Sequence, residues 1–138
     1  MHRPQLSIVL ATHNRRDILA HTLDQLAAAG QPGSESEIIV VDNASAEDVA
    51  AVVRGRPGLE LVRLKRNAGS CAKAFGVARA RGDMLLFLDD DSYPRVGCVE
   101  RMLQRFAEDP ALGAAGFLVH LPDGSRSAAL CRTCSLVA

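Results

Sequence analysis

The chain has 138 residues, 48% of them apolar and 23% charged, with 16 Lys+Arg against 16 Asp+Glu. That length and mixture suit one folded domain and exclude the disordered and collagen-like classes. The balanced charge excludes a protein whose main business is tracking nucleic-acid phosphates, which needs a net basic surface.

The longest apolar runs, such as residues 84–88, fall far short of the ~20 residues needed to cross a bilayer, so no transmembrane segment is expected. The N-terminal run carries one basic residue, Arg3, breaks at Thr12 and lacks a small-residue cleavage site, so it does not read as a signal peptide and a cytoplasmic address is expected. Cys71, Cys98, Cys131 and Cys134 are too sparse for a disulfide scaffold. The CxxC formed by Cys131 and Cys134 has no second ligand pair to complete a zinc site and reads as ordinary thiols.

Along the chain, residues 6–11 form a short apolar run that predicts a strand, followed by Asn14 as a helix cap with Asp17 in the first turn. Leu19, Leu23 and Leu26 then mark one face of a helix closed by Gly30 and Pro32. Residues 38–41 are a β-branched run ending at Asp42 and Asn43. Ser45 precedes a second helix with Val49, Val52 and Val53 on one side, closed by Gly55 and Pro57. Residues 59–64 alternate as a half-exposed strand would, and Asn67 to Ser70 open a third helix with Ala74, Val77 and Ala78 inward, ending at Gly82. Residues 84–88 are the most apolar strand and are expected at the centre of the sheet, since strands covered on both faces read as unbroken apolar runs. Ser92 and Pro94 are placed to start a helix with Val99, Leu103 and Phe106 inward, and residues 114–121 are a further strand candidate.

This β-then-α rhythm predicts an α/β fold with a mostly parallel sheet and right-handed crossovers, in which ligands bind at the carboxyl ends of the strands. The polar clusters Thr12-His13-Asn14, Asp42-Asn43 and Asp89-Asp90-Asp91 all fall at such ends. Three successive carboxylates after a buried strand repel one another, and a divalent cation is the obvious compensator. Mg²⁺ or Mn²⁺ would take one or two carboxylates and fill its shell with water and phosphate oxygens, which outlines a diphosphate site. Helix capping alone would need a single Asp, and Ser92 already supplies a cap. Asp42-Asn43 by itself reads equally as a turn. There is no GxGxxG after the first strand, no GxxxxGK[ST] and no GxSxG, so dinucleotide, P-loop and nucleophile-elbow readings lose their support. Of the histidines His2, His13, His21 and His120, only His13 falls at a predicted strand end; the others read as solvated.

The segments LSIVLATHNR, EIIVVDNAS, NAGSCAKAFGVARARGD and LLFLDDDSYP, in this order and spacing, resemble the N-terminal half of family 2 glycosyltransferases over about residues 5–110. The resemblance implies a GT-A fold, a Rossmann-type three-layer sandwich, and inverting transfer of a sugar from a nucleoside diphosphate sugar to an acceptor hydroxyl on a saccharide, a lipid-linked group or a small molecule. It implies a donor site drawn from Thr12, Asn14, Arg15, Asp42, Asn43, Lys73, Asp89 and Asp90. Within it, Thr12 and Asn14 belong to the loop around the nucleoside, Asp42 accepts a hydrogen bond from the base, and Lys73 approaches the phosphates or sugar. Asp91 is the implied ligand of Mn²⁺ or Mg²⁺. Asp89 or Asp90 contacts the ribose, or completes the metal shell in the manner of a DXD motif, for which Asp89 is the second metal ligand. The sequence departs from the family where Ala11 replaces a common Pro, His13 a common Tyr and Ala74 a common Asn.

The family's catalytic base, a carboxylate from the second half, has no good counterpart. Only Glu100, Glu108, Asp109 and Asp123 follow Asp91, and none stands in the family's acidic motif. Residues 1–138 are therefore expected to be a single donor-binding domain cut on its C-terminal side. Two rivals remain: a non-catalytic nucleotide-sugar-binding module, which the missing base favours, and a sugar nucleotidyltransferase. The latter should carry a glycine-rich loop after the first strand, where this chain has Ala11 to Arg16 and no glycine.

Overall fold

A computed structural model describes residues 3–121 and 123–125; Cys131 and Cys134 lie outside the described residues. The chain divides into two compact units, Met1–Pro94 and Arg95–Ala138.

The first unit is built on four parallel strands, β1 (Leu6–Thr12), β2 (Ser36–Asp42), β3 (Leu59–Arg63) and β4 (Met84–Asp89), in the order β3-β2-β1-β4. The helices are α1 (Arg16–Ala28), α2 (Ala50–Val53) and α3 (Ala72–Val77), the last preceded by a 3₁₀ turn at Gly69–Cys71. The sheet runs outward from β1 to β3 and then returns to β4. Right-handed crossovers therefore put α1 and α2 on one face and α3 on the other. Leu6, Ile8, Leu10, Ile38 and Val40 are almost fully buried, as are Leu19, Leu23 and Leu26 of α1. This is the core that the apolar periodicity of the first two βα units foretold.

Three local expectations, at Asn14, in α3 and in β3, are corrected. Asn14 does not cap α1: its backbone is left-handed, at φ 52°, and its Oδ1 accepts a 2.7 Å bond from the N–H of Ala46 instead. The exposed first turn of α1 is served by Glu47, whose Oε2 accepts from the N–H of Arg16 at 2.7 Å. In α3 the buried residues are Ala72 and Gly76, while Ala74, Val77 and Ala78 are exposed. The helix lies so close to the sheet that a Cβ on Gly76 would sit 2.6 Å from Val9 Cγ1 and 3.0 Å from Val41 Cγ2, so only a glycine faces the sheet there. β3 is half-buried along most of its length rather than alternating, as befits an edge strand.

The strand expected at the centre, β4, is the other edge of the described sheet, and β1 and β2 are the central pair. Leu86 and Leu88 are buried, but Leu85 is 40% and Phe87 51% exposed. An unbroken apolar run states that both faces avoid water, not which neighbours do the covering.

In the second unit, α4 (Cys98–Glu108) follows a left-handed Gly97 at φ 79°, later than Ser92 and Pro94 suggested. Val99 is buried and Leu103 and Phe106 are half-buried. The candidate strand at residues 114–121 does not form; apart from an isolated bridge at His120 the backbone pairs with no ladder among the described residues. No helix of the described residues is long and apolar enough to cross a membrane.

Candidate functional site

The register of the sheet brings the predicted residues into one row. Thr12 pairs with Asp42, Asp42 with Arg63, and Ala11 with Asp89, so the last rungs of all four strands meet at the carboxyl edge. Of the expected donor and metal sites, Thr12, Asn14, Arg15, Asp42, Asn43, Asp89, Asp90 and Asp91 lie on this edge or in the loops that leave it, and Lys73 lies in the first turn of α3.

Asp42 is fully buried. Its Oδ1 accepts a 2.9 Å bond from the N–H of Ser45. Arg63 Nε stands 3.0 Å from Oδ2 but is not aligned to donate, and Oδ2 is left with no hydrogen bond. The neighbouring Asn43 is spent inside the protein. Its Oδ1 accepts from the N–H of Ala68 at 2.8 Å and its Nδ2 donates to Asn67 Oδ1 at 2.9 Å, fastening the loop before α3 to the end of β2. Asn14 likewise joins two loops, since its own N–H donates to Ser45 Oγ at 2.9 Å while its Oδ1 holds Ala46. His13 Nδ1 lies 2.8 Å from the carbonyl oxygen of Asn43. Of the other histidines, His21 and His120 are exposed, and His2 lies outside the described residues.

The three successive aspartates have separate surroundings. Asp89 Oδ1 accepts a 2.6 Å bond from Lys73 Nζ of α3. Asp90 is buried, accepts from Thr12 Oγ1 and Arg15 Nη1 at 2.7 and 2.8 Å, and its backbone carbonyl accepts from Thr22 Oγ1 at 2.7 Å. Asp91 Oδ2 accepts from Arg15 Nη2 at 2.9 Å. The hydrogen bond from Arg15 holds the Asp91 carboxyl below its ordinary range against a smaller opposing effect of burial. The same bond and the charge of Asp90 raise the Arg15 guanidinium above its own.

The charge that seemed to demand a metal is thus met in part by Arg15 and Lys73. Among the described residues no group of three or more His, Cys, Asp and Glu side chains could hold a metal by itself. The donor set nonetheless fits Mg²⁺ or Mn²⁺ in company with a diphosphate. Asp89 and Asp91 are exposed carboxylates, hard oxygen donors, and such ions take only one or two of these when phosphates complete the shell.

Arg63 was missed in the sequence. It ends a predicted strand, and the rule that ligands gather at carboxyl ends applies to it as it does to Asp42. Its polarity among ordinary surface arginines gave no separate signal.

A profile for "Glycosyl transferase family 2" matches residues 7–133. The chain is 32% identical over 105 residues to the succinoglycan biosynthesis protein ExoO of Rhizobium meliloti, covering 74% of this chain and 30% of that protein. It is 31% identical over 94 residues to the poly(ribitol-phosphate) beta-N-acetylglucosaminyltransferase TarS of Staphylococcus aureus, covering 64% of this chain and 16% of TarS. Among solved structures, S. aureus TarS 1-349 in complex with UDP superimposes with a TM-score of 0.69 at 25% identity, covering 75% of this chain and 32% of that one. The mannosyltransferase PcManGT of Pyrobaculum calidifontis, in complex with GDP-Man and Mn²⁺, gives 0.75 at 24% identity over 89% of this chain and 37% of that one, a likeness of fold. The chain spans a third or less of the lengths of ExoO and TarS. The parallel sheet with its polar carboxyl edge is a GT-A fold, and by its family match the chain belongs to glycosyl transferase family 2.

Proposed function

We propose that this chain binds a nucleoside diphosphate sugar along the carboxyl edge of its sheet and serves the inverting transfer of that sugar to an acceptor hydroxyl. The observation that carries the reading is Asp42, a fully buried carboxylate on the last rung of β2 whose Oδ2 lacks a hydrogen bond. A buried carboxylate oxygen without a donor is costly to maintain, and an N–H of the donor's base would relieve it. The UDP of the TarS complex and the GDP-Man of the PcManGT complex support a nucleotide sugar as the ligand class and leave the base open.

Beside Asp42, the carboxylates of Asp89 and Asp91 would hold a divalent ion with the diphosphate. When bound, such an ion supplies charge neutralisation on the leaving diphosphate. Arg15 and Lys73, which now pair with Asp91, Asp90 and Asp89, are the chain's own cations at this place. As the donor seats, they exchange carboxylate for phosphate oxygens and hold the leaving group. Thr12 and Asn14 keep the first loop in shape around the nucleoside, one by holding Asp90 and the other by holding Ala46. Attack of the acceptor hydroxyl on the anomeric carbon forms the new bond while the bond to the diphosphate breaks, and the hydroxyl proton passes to a general base.

A second reading, nucleotide-sugar binding without turnover, is favoured by the state of the late carboxylates. Glu108 accepts from Gln104, Asp109 from the N–H of Ala111 and Asp123 from the N–H of Ser125, each a local contact within its own segment.

The test is calorimetric titration of UDP, GDP and dTDP with and without Mn²⁺, repeated on Asp91→Asn. Metal-dependent binding of one nucleotide, weakened at least about tenfold in the variant, is expected. Binding indifferent to Mn²⁺ and to the substitution would remove the metal assignment, and binding of no nucleotide would remove the donor site.

A further inference from the structure

We infer that Thr22 is a positioning residue for the two exposed carboxylates of the aspartate run: its hydroxyl fixes the peptide between Asp90 and Asp91 and so sets where Asp91 stands relative to Asp89. The inference rests on the donor-site reading above.

Thr22 lies on the buried face of α1 with Leu19, Leu23 and Leu26, and is 1% exposed. A hydroxyl among core leucines needs an acceptor. The usual one for a threonine inside a helix is the carbonyl four residues back, here that of Ile18. Thr22 Oγ1 donates instead to the backbone carbonyl of Asp90, 68 positions away, at 2.7 Å.

That carbonyl holds a particular place. The N–H of Ser92 donates to the carbonyl of Asp89 at 3.1 Å, which closes a β-turn with Asp90 and Asp91 as its central residues. The Asp90 carbonyl belongs to the central peptide, whose rotation separates one turn type from another. The rotated, type II form needs a positive φ at the third residue, which here is Asp91. Among the described residues the non-glycine positions with positive φ are Asn14 and Ala44, so the turn is not of that type.

The two exposed carboxylates are held by different means. Asp89 sits on the last rung between β1 and β4, opposite Ala11, so the ladder fixes its backbone. Asp91 lies beyond the ladder, inside the turn. A peptide group is planar, so holding the Asp90 carbonyl also holds the N–H and Cα of Asp91. Thr12 and Arg15 hold the Asp90 side chain, and Thr22 holds its carbonyl. Without the hydroxyl, a buried carbonyl loses its donor and turns toward water, which moves Asp91 relative to Asp89. Two carboxylates that share an ion demanding near-ideal octahedral geometry tolerate little of that movement.

The experiment is calorimetric titration of UDP and of GDP into the 138-residue chain, in Mn²⁺ and in EDTA. It compares the unaltered protein with Thr22→Val, Thr22→Ser and Glu37→Gln, each at a temperature where circular dichroism shows it folded. Valine keeps the shape and removes the donor, and serine keeps the donor. Glu37, bonded to Ser7 and Arg81 at the opposite end of the strands, is the control for lost stability alone. In Mn²⁺, Thr22→Val should weaken the nucleotide that binds at least about tenfold, with Thr22→Ser and Glu37→Gln within about threefold of the unaltered chain. In EDTA all four proteins should bind it equally. Equal weakening of Thr22→Val in Mn²⁺ and in EDTA, or weakening matched by Glu37→Gln, would show that Thr22 serves only the fold and would overturn the inference. Undiminished binding in Mn²⁺ by Thr22→Val would overturn it while leaving the donor site standing. Should Thr22→Val fail to fold, Thr22→Ala puts no methyl group against the carbonyl and is read in the same way; loss of the fold in both would assign the bond to the fold as a whole and overturn the inference. Binding to the unaltered chain that is the same in Mn²⁺ and EDTA would overturn it together with the metal assignment, and failure of both nucleotides to bind would overturn it together with the donor site.

Discussion

Thr12 Oγ1 donates a 2.7 Å hydrogen bond to Asp90 Oδ2, so the end of β1 is tied to the first residue beyond β4. Both residues are buried. Thr12→Val keeps the shape and removes the donor, leaving a buried carboxylate oxygen short of one bond. The expected loss is about 1–3 kcal/mol of unfolding free energy, read from urea denaturation, with Thr12→Ser recovering most of it.

Gly76 sets how closely α3 approaches the sheet. Gly76→Ala gains helix propensity of up to about 1 kcal/mol but drives a methyl group onto Val9 and Val41, both buried and β-branched. Overpacking of this kind costs roughly 1–3 kcal/mol, so the substitution should lower the denaturation midpoint; a raised midpoint would show that α3 can lift off the sheet without penalty.

Glu37 stands at the opposite end of the strands. Burial pushes its carboxyl upward, but bonds from the Arg81 side chain, from Ser7 and from the Arg81 backbone together bring it below the ordinary value. A depressed carboxyl contributes stability that is fully present above the unfolded value of about 4.3 and is lost as the pH falls through the folded one. Unfolding free energy measured between pH 6 and about pH 2.5 should therefore decline in the wild type, and Glu37→Gln should flatten part of that decline.

Asn14 combines a left-handed backbone with a side-chain bond to Ala46. Asn14→Gly tolerates the backbone and loses only the bond, whereas Asn14→Ala loses the bond and strains the backbone. Thermal unfolding should rank wild type above Gly above Ala, with the full span about 1–3 kcal/mol. An alanine variant as stable as the glycine one would show that the loop relaxes to an ordinary conformation.

What the sequence disclosed was whatever depends on neighbours along the chain. The apolar runs of β1 and β2, the Leu19, Leu23, Leu26 face of α1 and the placing of Thr12, Asp42 and Asp89 at strand ends all follow from local periodicity and a parallel topology. What it withheld depends on partners far away. Asn14 looks like a cap until Ala46 competes for its oxygen, α3 looks apolar on its alanines until the sheet demands a glycine, and Arg63 gains meaning only from the rung beside it. Residues 114–121 are apolar enough for a strand, but strands also need a partner ladder, which composition cannot specify. The counter-charges on the aspartates were hidden for the same reason, since Arg15 is about 75 positions from the carboxylates it joins.

Asp89 and Asp90 are adjacent in sequence, but the first reaches Lys73 on the α3 side and the second reaches Thr12 and Thr22 on the α1 side. The division of labour between them is therefore written in parity. Deleting one residue at the start of β4 would bring Asp90 and Asp91 to the places of Asp89 and Asp90 and yet hand every side chain beyond it to the opposite face. Asp90 would become the outward carboxylate and Asp91 the internal latch, and Leu86 and Leu88 would be turned out of the core in the same step. Length, at this strand, fixes the site as strictly as chemistry does.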